Sequence, residues 1–270
     1  MESVSKNGKS AEEGGGVPAV ERALDILELL EESEGRPTLT EIAERLGVPK
    51  GSAHRLLSTL TARGYVTARS NGTLRGGFTL GPRLLALAAR SHGRLDLAQA
   101  ARGPLERLAA ITGEGCQLSV RAGDRALCLV RVPAPAHPEV ALMGGVGASF
   151  PLHAVAVGKA LLAFAPEAER AAYLSGGTLT AFTEYTLAEP EALARELAAI
   201  RASGIARDEQ EYKRGLRALA APVFGADRKI AAAIAVPLLV GADPGDDRIA
   251  AALRAAAADI SSALGFRKED

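Results

Sequence analysis

Leu39-Thr40-Glu41-Ile42-Ala43-Glu44-Arg45-Leu46-Gly47-Val48-Pro49-Lys50-Gly51-Ser52-Ala53-His54-Arg55-Leu56-Leu57-Ser58-Thr59-Leu60 carries the pattern that decides the fold. It opens as a short helix. Thr40 is the expected N-cap, and Glu41 and Glu44 stand in the early turn, where the helix dipole favours acids. Gly47-Val48-Pro49 breaks that helix, and a second is expected from Lys50 to Arg63, ended by Gly64. In it Ala53, Leu56, Leu57 and Leu60 fall at i, i+3, i+4 and i+7, a compact stripe for burial. Gly51, Arg55 and Ser58 lie opposite the stripe, with Ser52, His54 and Thr59 on its flanks. This outward face is small, polar and cationic, and it has no acid. Such residues can approach phosphates closely and reach base edges.

Working outward, a helix is expected from Ala19 to about Glu32, with Val20, Ala23, Leu24, Leu27 and Leu30 on one side. Downstream, Tyr65 to Arg69 and Gly77 to Leu80 are β-prone runs around Asn71-Gly72. They predict a hairpin with Arg69 and Arg75 near its tip. Helix, short helix, tight turn, helix, basic hairpin is the order of a winged helix-turn-helix. Charge agrees with it. The chain balances at 32 basic and 32 acidic groups, yet from Arg45 to Leu95 there are nine basic residues and no acid. A charge run is commonly only solvated surface; the helix spacing here points to a polyanionic partner, duplex DNA.

After a helix from Leu84 to about Ser91 and another from Leu95 to Thr112, the character changes. Cys116 to Arg121 and Ala126 to Val130 predict a hairpin around Gly123-Asp124. A strand is expected at Val140 to Met143, then helices at His153 to Ala165, Pro166 to Leu174 and Pro190 to Ser203. Strands at Arg217 to Phe224 and Ile230 to Leu239 follow, and a helix from Asp246 to Leu264. Mixed helices and hairpins predict an α+β sensor-type domain with an antiparallel sheet.

Composition excludes several classes. The 270 residues are 47% hydrophobic and 24% charged, so wholesale disorder is excluded, and two modest domains fit the length. Cys116 and Cys128 form no disulfide framework, and His54, His92, His137 and His153 are scattered without zinc spacing. No secretory signal or membrane helix is read, so the expected location is the cytoplasm. A thiol-dependent enzyme using the two cysteines is the competing reading. Both sit in apolar strand patterns, which favours buried packing, and no GxSxG, Walker A or HExxH spacing occurs. No cofactor or metal is expected.

Three N-terminal segments, Leu39-Thr40-Glu41-Ile42-Ala43, Val48 to Leu57 and Leu80-Gly81-Pro82-Arg83-Leu84-Leu85, resemble signatures of the IclR family of bacterial transcriptional regulators. Phe150 to Ala163 and Asp208-Glu209-Gln210-Glu211 to Val223 resemble segments of its effector domain. Residues 1–16, rich in Ser, Lys, Glu and Gly, read as a disordered tail, and the resemblance implies a winged helix-turn-helix (17–80), a linker helix (81–95) and a GAF-like effector domain (96–270). It also implies homodimers or homotetramers on operator DNA. Lys50, Ser52, His54 and Arg55 would open the recognition helix, with Thr40, Ser58, Arg69 and Arg75 completing the DNA-facing set. Gly51 replaces the Ser or Thr common in relatives.

In the effector domain the resemblance implies that the backbone around Gly158 and Ala160 receives a carboxylate, with Asp208 and Glu211 near the same cavity. Ala218 stands where relatives often have Cys, and Ala235 and Pro237 where they often have Ser. Fewer polar atoms favour a small organic acid with an aromatic or otherwise apolar body. Leu142, Met143, Phe150 and Leu152 are candidate walls. Control of a catabolic or metabolic operon follows.

Overall fold

The computed structural model describes residues 17–33, 35–68, 77–90, 94–135, 144–176, 179–241 and 245–267. Arg69, Arg75, Leu142, Met143 and the strand expected at Val140 to Met143 lie outside the described residues. The chain divides into two compact units, one through His92 and one from Gly93.

In the first unit, helices α1 (Pro18–Glu32), α2 (Leu39–Arg45) and α3 (Lys50–Ala62) precede an antiparallel pair, β1 (Val66–Ala68) and β2 (Phe78–Leu80), then α4 (Pro82–Arg90). Ile26, Leu29 and Leu30 of α1, Ile42 of α2, Leu57 of α3, Val66 and Phe78 form one core. The α3 stripe behaves as its spacing demands: Ala53 and Leu57 are fully buried, and Leu56 and Leu60 pack beside them.

The turn between α2 and α3 is closed by backbone alone. Gly47 has φ +63° and its N–H donates to Glu44 O, while the Val48 N–H reaches back to Ala43 O at 3.0 Å. This reciprocal pair is a Schellman closure, and it needs a residue that tolerates the left-handed region. The N-terminus of α2 corrects the sequence expectation. Its cap is Thr38, not Thr40: Thr38 Oγ1 accepts from the Glu41 N–H, and Glu41 Oε2 accepts from the Thr38 N–H at 2.7 Å. Only Thr38 has a glutamate three residues on, so only it can make both bonds, and Thr40 becomes the second helical residue. The Thr38 N–H also holds the Glu41 carboxyl below its usual pKa.

The second unit is a six-stranded sheet with helices on both faces. Its elements are α5 (Arg94–Thr112), β3 (Cys116–Ala122), β4 (Arg125–Val132), β5 (Ser149–Pro151), α6 (Ala156–Ala163), α7 (Glu167–Ser175), α8 (Pro190–Ser203), β6 (Ala206–Glu209), β7 (Leu216–Phe224), β8 (Ile230–Leu239) and α9 (Asp246–Ala263). The strand order is β5-β4-β3-β8-β7-β6, and all pairs are antiparallel.

Alternation along the strands gives the two faces different materials. Leu118, Val120, Leu219, Val223, Ile234, Val236 and Leu238 face α5 and α9. Ala126, Cys128, Ala206, Ala218, Ala220, Ala233 and Ala235 face α6 and α8. The alanine face lets α6 lie deep against the sheet, and all eight of its residues are buried. An element apolar on every side belongs inside the protein.

Two strands, β5 and β6, were not expected from sequence. Ala206-Arg207-Asp208-Glu209 has no β-branched or aromatic residue and reads as polar. As an edge strand paired only with β7 it needs no second apolar face. The helix expected from His153 starts instead at Ala156, because His153 is fixed in the preceding turn. Its Nε2 lies 2.9 Å from Thr180 O and its Nδ1 3.0 Å from the Tyr173 hydroxyl.

Candidate nucleic-acid interface and effector site

On α3, Lys50, Gly51, His54 and Arg55 are exposed, while Ser52 and Ser58 are half-buried. The first turn holds no acid, and Pro49 supplies no side-chain cap, so the N-terminal amide groups face outward without a competing anion. None of Lys50, Arg55 or Arg63 is held in an ion pair among the described residues. A Cβ added at Gly51 would meet nothing within 4 Å, so the position lies against open space. The helix thus presents free cations and small groups on one side and its apolar stripe on the other.

In the second unit, sheet register joins several of the expected effector residues. Asp208 pairs with Ala218, and Ala218 with Pro237, so the three form a row across β6, β7 and β8. Ala235 pairs with Ala220 on one side and with Gln117 on the other. Ala160, Phe150, Leu152, Ala218 and Ala235 all belong to the core on the α6 face. The turn after β6 bends back sharply. Gln210 has φ +66°, and the Glu211 N–H donates to Asp208 Oδ1 at 2.7 Å, an Asx-type bond that ties the Asp208 side chain to the turn.

The structure narrows the expectation for Gly158 and Ala160: the Gly158 N–H remains a candidate donor, and the Ala160 N–H does not. A Cβ on Gly158 would fall 2.4 Å from Leu152 O, so this glycine serves backbone packing. Ala160 is the fifth residue of α6, and its N–H is used within the helix. The donors lacking intrahelical acceptors belong to Ala156, Val157 and Gly158, since the first helical bond runs from Lys159 N–H to Val155 O at 3.0 Å. Val155 makes no side-chain cap.

Sequence reasoning missed Lys159, which is 1% exposed. Its Nζ lies 2.5 Å from Glu211 Oε1 and 3.4 Å from Glu196 Oε1. The signal was available: Lys159 is the single charge in an otherwise apolar eight-residue helix, and a buried ammonium needs a carboxylate partner. Ser119, also missed, is fully buried on β3, and its Oγ has no hydrogen-bond partner. Burial raises the Asp208 carboxyl to about pH 7, with repulsion from Glu211 adding to the shift and the Glu211 N–H opposing it. Burial also raises Glu211, against the attraction of Lys159. The site therefore offers uncapped amide donors, a carboxyl that can hold a proton at neutral pH, and buried acceptors. Among the described residues no cluster of three His, Cys, Asp or Glu side chains could hold a metal ion.

Burial raises the thiols of Cys116 to about 12 and Cys128 to about 11. Their sulfurs contact Leu105 O and Val130 O within the core. Neither has the low pKa and exposure that thiol chemistry requires.

A helix-turn-helix with a two-stranded wing, joined in one chain to an α+β unit, defines a class of DNA-binding transcription regulator. Residues 19–70 match the family model "IclR helix-turn-helix domain", and residues 89–262 match "Bacterial transcriptional regulator IclR C-terminal". The HTH-type transcriptional regulator BhcR of Paracoccus denitrificans (strain Pd 1222) is 37% identical, over 97% of this chain and 92% of the relative. An IclR regulator from Alicyclobacillus acidocaldarius has a solved structure with TM-score 0.74 at 32% identity, covering 93% of this chain and 100% of that one. An IclR homologue from Microbacterium hydrocarbonoxydans, solved in complex with 4-hydroxybenzoate, gives TM-score 0.78 at 26% identity, covering 91% and 98%. The chain belongs to the IclR family: it is a DNA-binding transcriptional regulator and not an enzyme. Among the described residues no helix is long and apolar enough to cross a membrane.

Proposed function

We propose that this regulator binds a two-fold operator as a homodimer or homotetramer in the cytoplasm, and that a small organic acid in the second unit modulates the binding. The acid carries an aromatic or otherwise apolar body, and the regulated genes form a catabolic or metabolic operon. A single winged domain reads too few base pairs for useful specificity, which is the reason for two copies. Arg69 and Arg75 complete the DNA-facing set with Lys50, Ser52, His54, Arg55 and Ser58.

The observation that carries the effector reading is the start of α6. Three buried amide groups, those of Ala156, Val157 and Gly158, lack both a helical acceptor and a side-chain cap, and an anion there gains the helix dipole as well. The alanine row on β7 and β8 and the walls from Phe150 and Leu152 give the acid an apolar body to match. Leu142 and Met143 belong to the same proposal. The 4-hydroxybenzoate complex of the Microbacterium homologue supports an acid of this kind.

The test is a thermal-shift screen of the full chain with benzoate, hexanoate and glyoxylate, followed by gel-shift titration on its own promoter fragment. An apolar carboxylate is expected to raise Tm by mass action and to change operator affinity. If only glyoxylate does so, the apolar-body reading fails. If no carboxylate does so at millimolar concentration, the organic-acid reading fails.

A further inference from the structure

The C-terminal ends of α6, α8 and α9 border a groove of about 610 Å³, away from the start of α6. α6 has eight residues, so its two ends stand about 12 Å apart. The floor of the groove is aromatic. Phe164, Phe224 and Phe266 are each half-buried; the first two rings meet edge to face at 5.3 Å, and Phe224 stacks on Phe266 at 5.4 Å. The rim is cationic, with Arg201 and Arg254 both exposed. Arg201 donates to Ala163 O at 3.4 Å and Arg254 to Ser203 O at 3.0 Å, and neither is held in an ion pair among the described residues. A guanidinium has five N–H groups, so most of each fork is left to bind something else. Among the described residues no Asp or Glu lines the groove. The floor offers little competition: Pro222 has no N–H, the Phe224 N–H donates to Ser261 Oγ, and that hydroxyl donates to Ala257 O. The three helix ends bring about half a negative charge each, which is less than the two full positive charges. Arg170, although paired with Glu167, is held below its usual pKa by burial and then by the charge of Arg201, so positive charge is in surplus here.

We propose that this groove is a second small-molecule site and that it takes an aromatic carboxylate. The ring lies on the phenylalanine floor, and the carboxylate accepts from Arg201 and Arg254. Planar guanidinium forks match a carboxylate in geometry and charge, and an apolar floor with a few convergent polar groups is the usual make-up of a ligand site. The cavity also falls within the usual size of such sites, about 300–1,000 Å³. It shares no residue with the effector reading at the start of α6 and does not rest on it.

Arginine footprinting of the full chain tests it, with phenylglyoxal as reagent, 2-naphthoate as probe and peptide mass spectrometry as readout. In the free chain Arg201 and Arg254 are expected to react. 2-Naphthoate at ten times its Kd should slow both by about tenfold, the factor that mass action gives, while the uncharged 2-naphthamide protects neither. An aryl acid bound only at the start of α6 would leave both arginines reactive, so the two sites separate in one measurement. In calorimetric titration, Arg201→Gln/Arg254→Gln should weaken one 2-naphthoate binding event by about tenfold or more, the scale of a lost charge-assisted hydrogen bond. Both side chains are exposed, so the double variant should melt with the parent chain. Unchanged modification rates at millimolar 2-naphthoate, or equal protection by the amide, would overturn the inference and leave the effector reading at α6 standing. Arginines that are inert in the free chain and become reactive on dilution would overturn it too, because the face would then be covered by a second copy of the chain.

Discussion

Gly158 and Leu152 meet backbone to backbone: a Cβ on the glycine would lie 2.4 Å from the leucine carbonyl oxygen and 2.5 Å from its Cα. The contact seats the first turn of α6 against the turn that precedes it, and thereby fixes the three uncapped amide groups. Gly158→Ala must push these segments apart, and overpacking of this kind costs about 1–3 kcal/mol. Chemical denaturation should show a lower midpoint with an unchanged slope. An unaltered midpoint would mean that the contact is free to relax.

The capping box of α2 gives a second measurement. Thr38→Ala removes the side-chain acceptor of the Glu41 N–H, and loss of such a cap costs about 1 kcal/mol. Thr40→Ala touches no cap and should shift stability by no more than about 0.5 kcal/mol. Reversal of that order in thermal melts would return the cap to Thr40.

These two sites mark the limit of what was legible in the sequence. Gly47, Gly64 and the Ala53–Leu57 stripe act through local rules, and the elements fall where those rules put them. Thr38 was equally local, and the spacing to Glu41 contained it. By contrast, β6 is set by its partner strand, since Ala206 to Glu209 lacks β propensity and is held by pairing with β7. Gly158 could not be assigned to packing without the position of Leu152. The Lys159–Glu211 pair spans 52 residues, and only the fold brings its ends together.

The buried Asp208 predicts a pH dependence with a definite sign. Folded, it holds its proton to about pH 7; unfolded, it releases it near 3.8. Between these values the folded state binds more protons, so stability falls as pH rises, by at most about 1.4 kcal/mol per unit. Asp208→Asn keeps an oxygen for the Glu211 N–H and removes the titration. The variant should equal the parent chain near pH 4 and exceed it at pH 7.5 and above. Parallel urea midpoints for the two chains from pH 4 to 8 would refute this.

Cys116 and Cys128 should be inert in the native protein. Their thiols lie at about 12 and 11 because burial penalises the thiolate, so the reactive form is scarce at neutral pH. A chromogenic disulfide reagent at pH 8 is expected to titrate neither cysteine until denaturant is added, and then to titrate both. Rapid modification of either in the folded chain would contradict their placement in the core.

The α3 surface separates two kinds of DNA contact that binding assays can tell apart. Arg55 stands exposed opposite the buried Ala53–Leu57 stripe, in the middle of the helix, with a planar fork suited to the O6 and N7 acceptors of guanine. Lys50 is the first helical residue, beside the uncapped amide groups, and a point charge there suits a phosphate. Arg55→Ala should therefore weaken binding to a selected operator by about 1–3 kcal/mol, with little effect on random duplex. Lys50→Ala should weaken both by similar factors and reduce the slope of log affinity against log salt by about one. Gly51 faces open space, so Gly51→Ser should fold normally and add a hydroxyl to the DNA-facing side of the helix. Operator affinities of the three variants, each measured at several salt concentrations, decide the matter. If Arg55→Ala weakens operator and random duplex equally, Arg55 is a phosphate contact, and base reading must pass to His54 or Ser58 on the same helix.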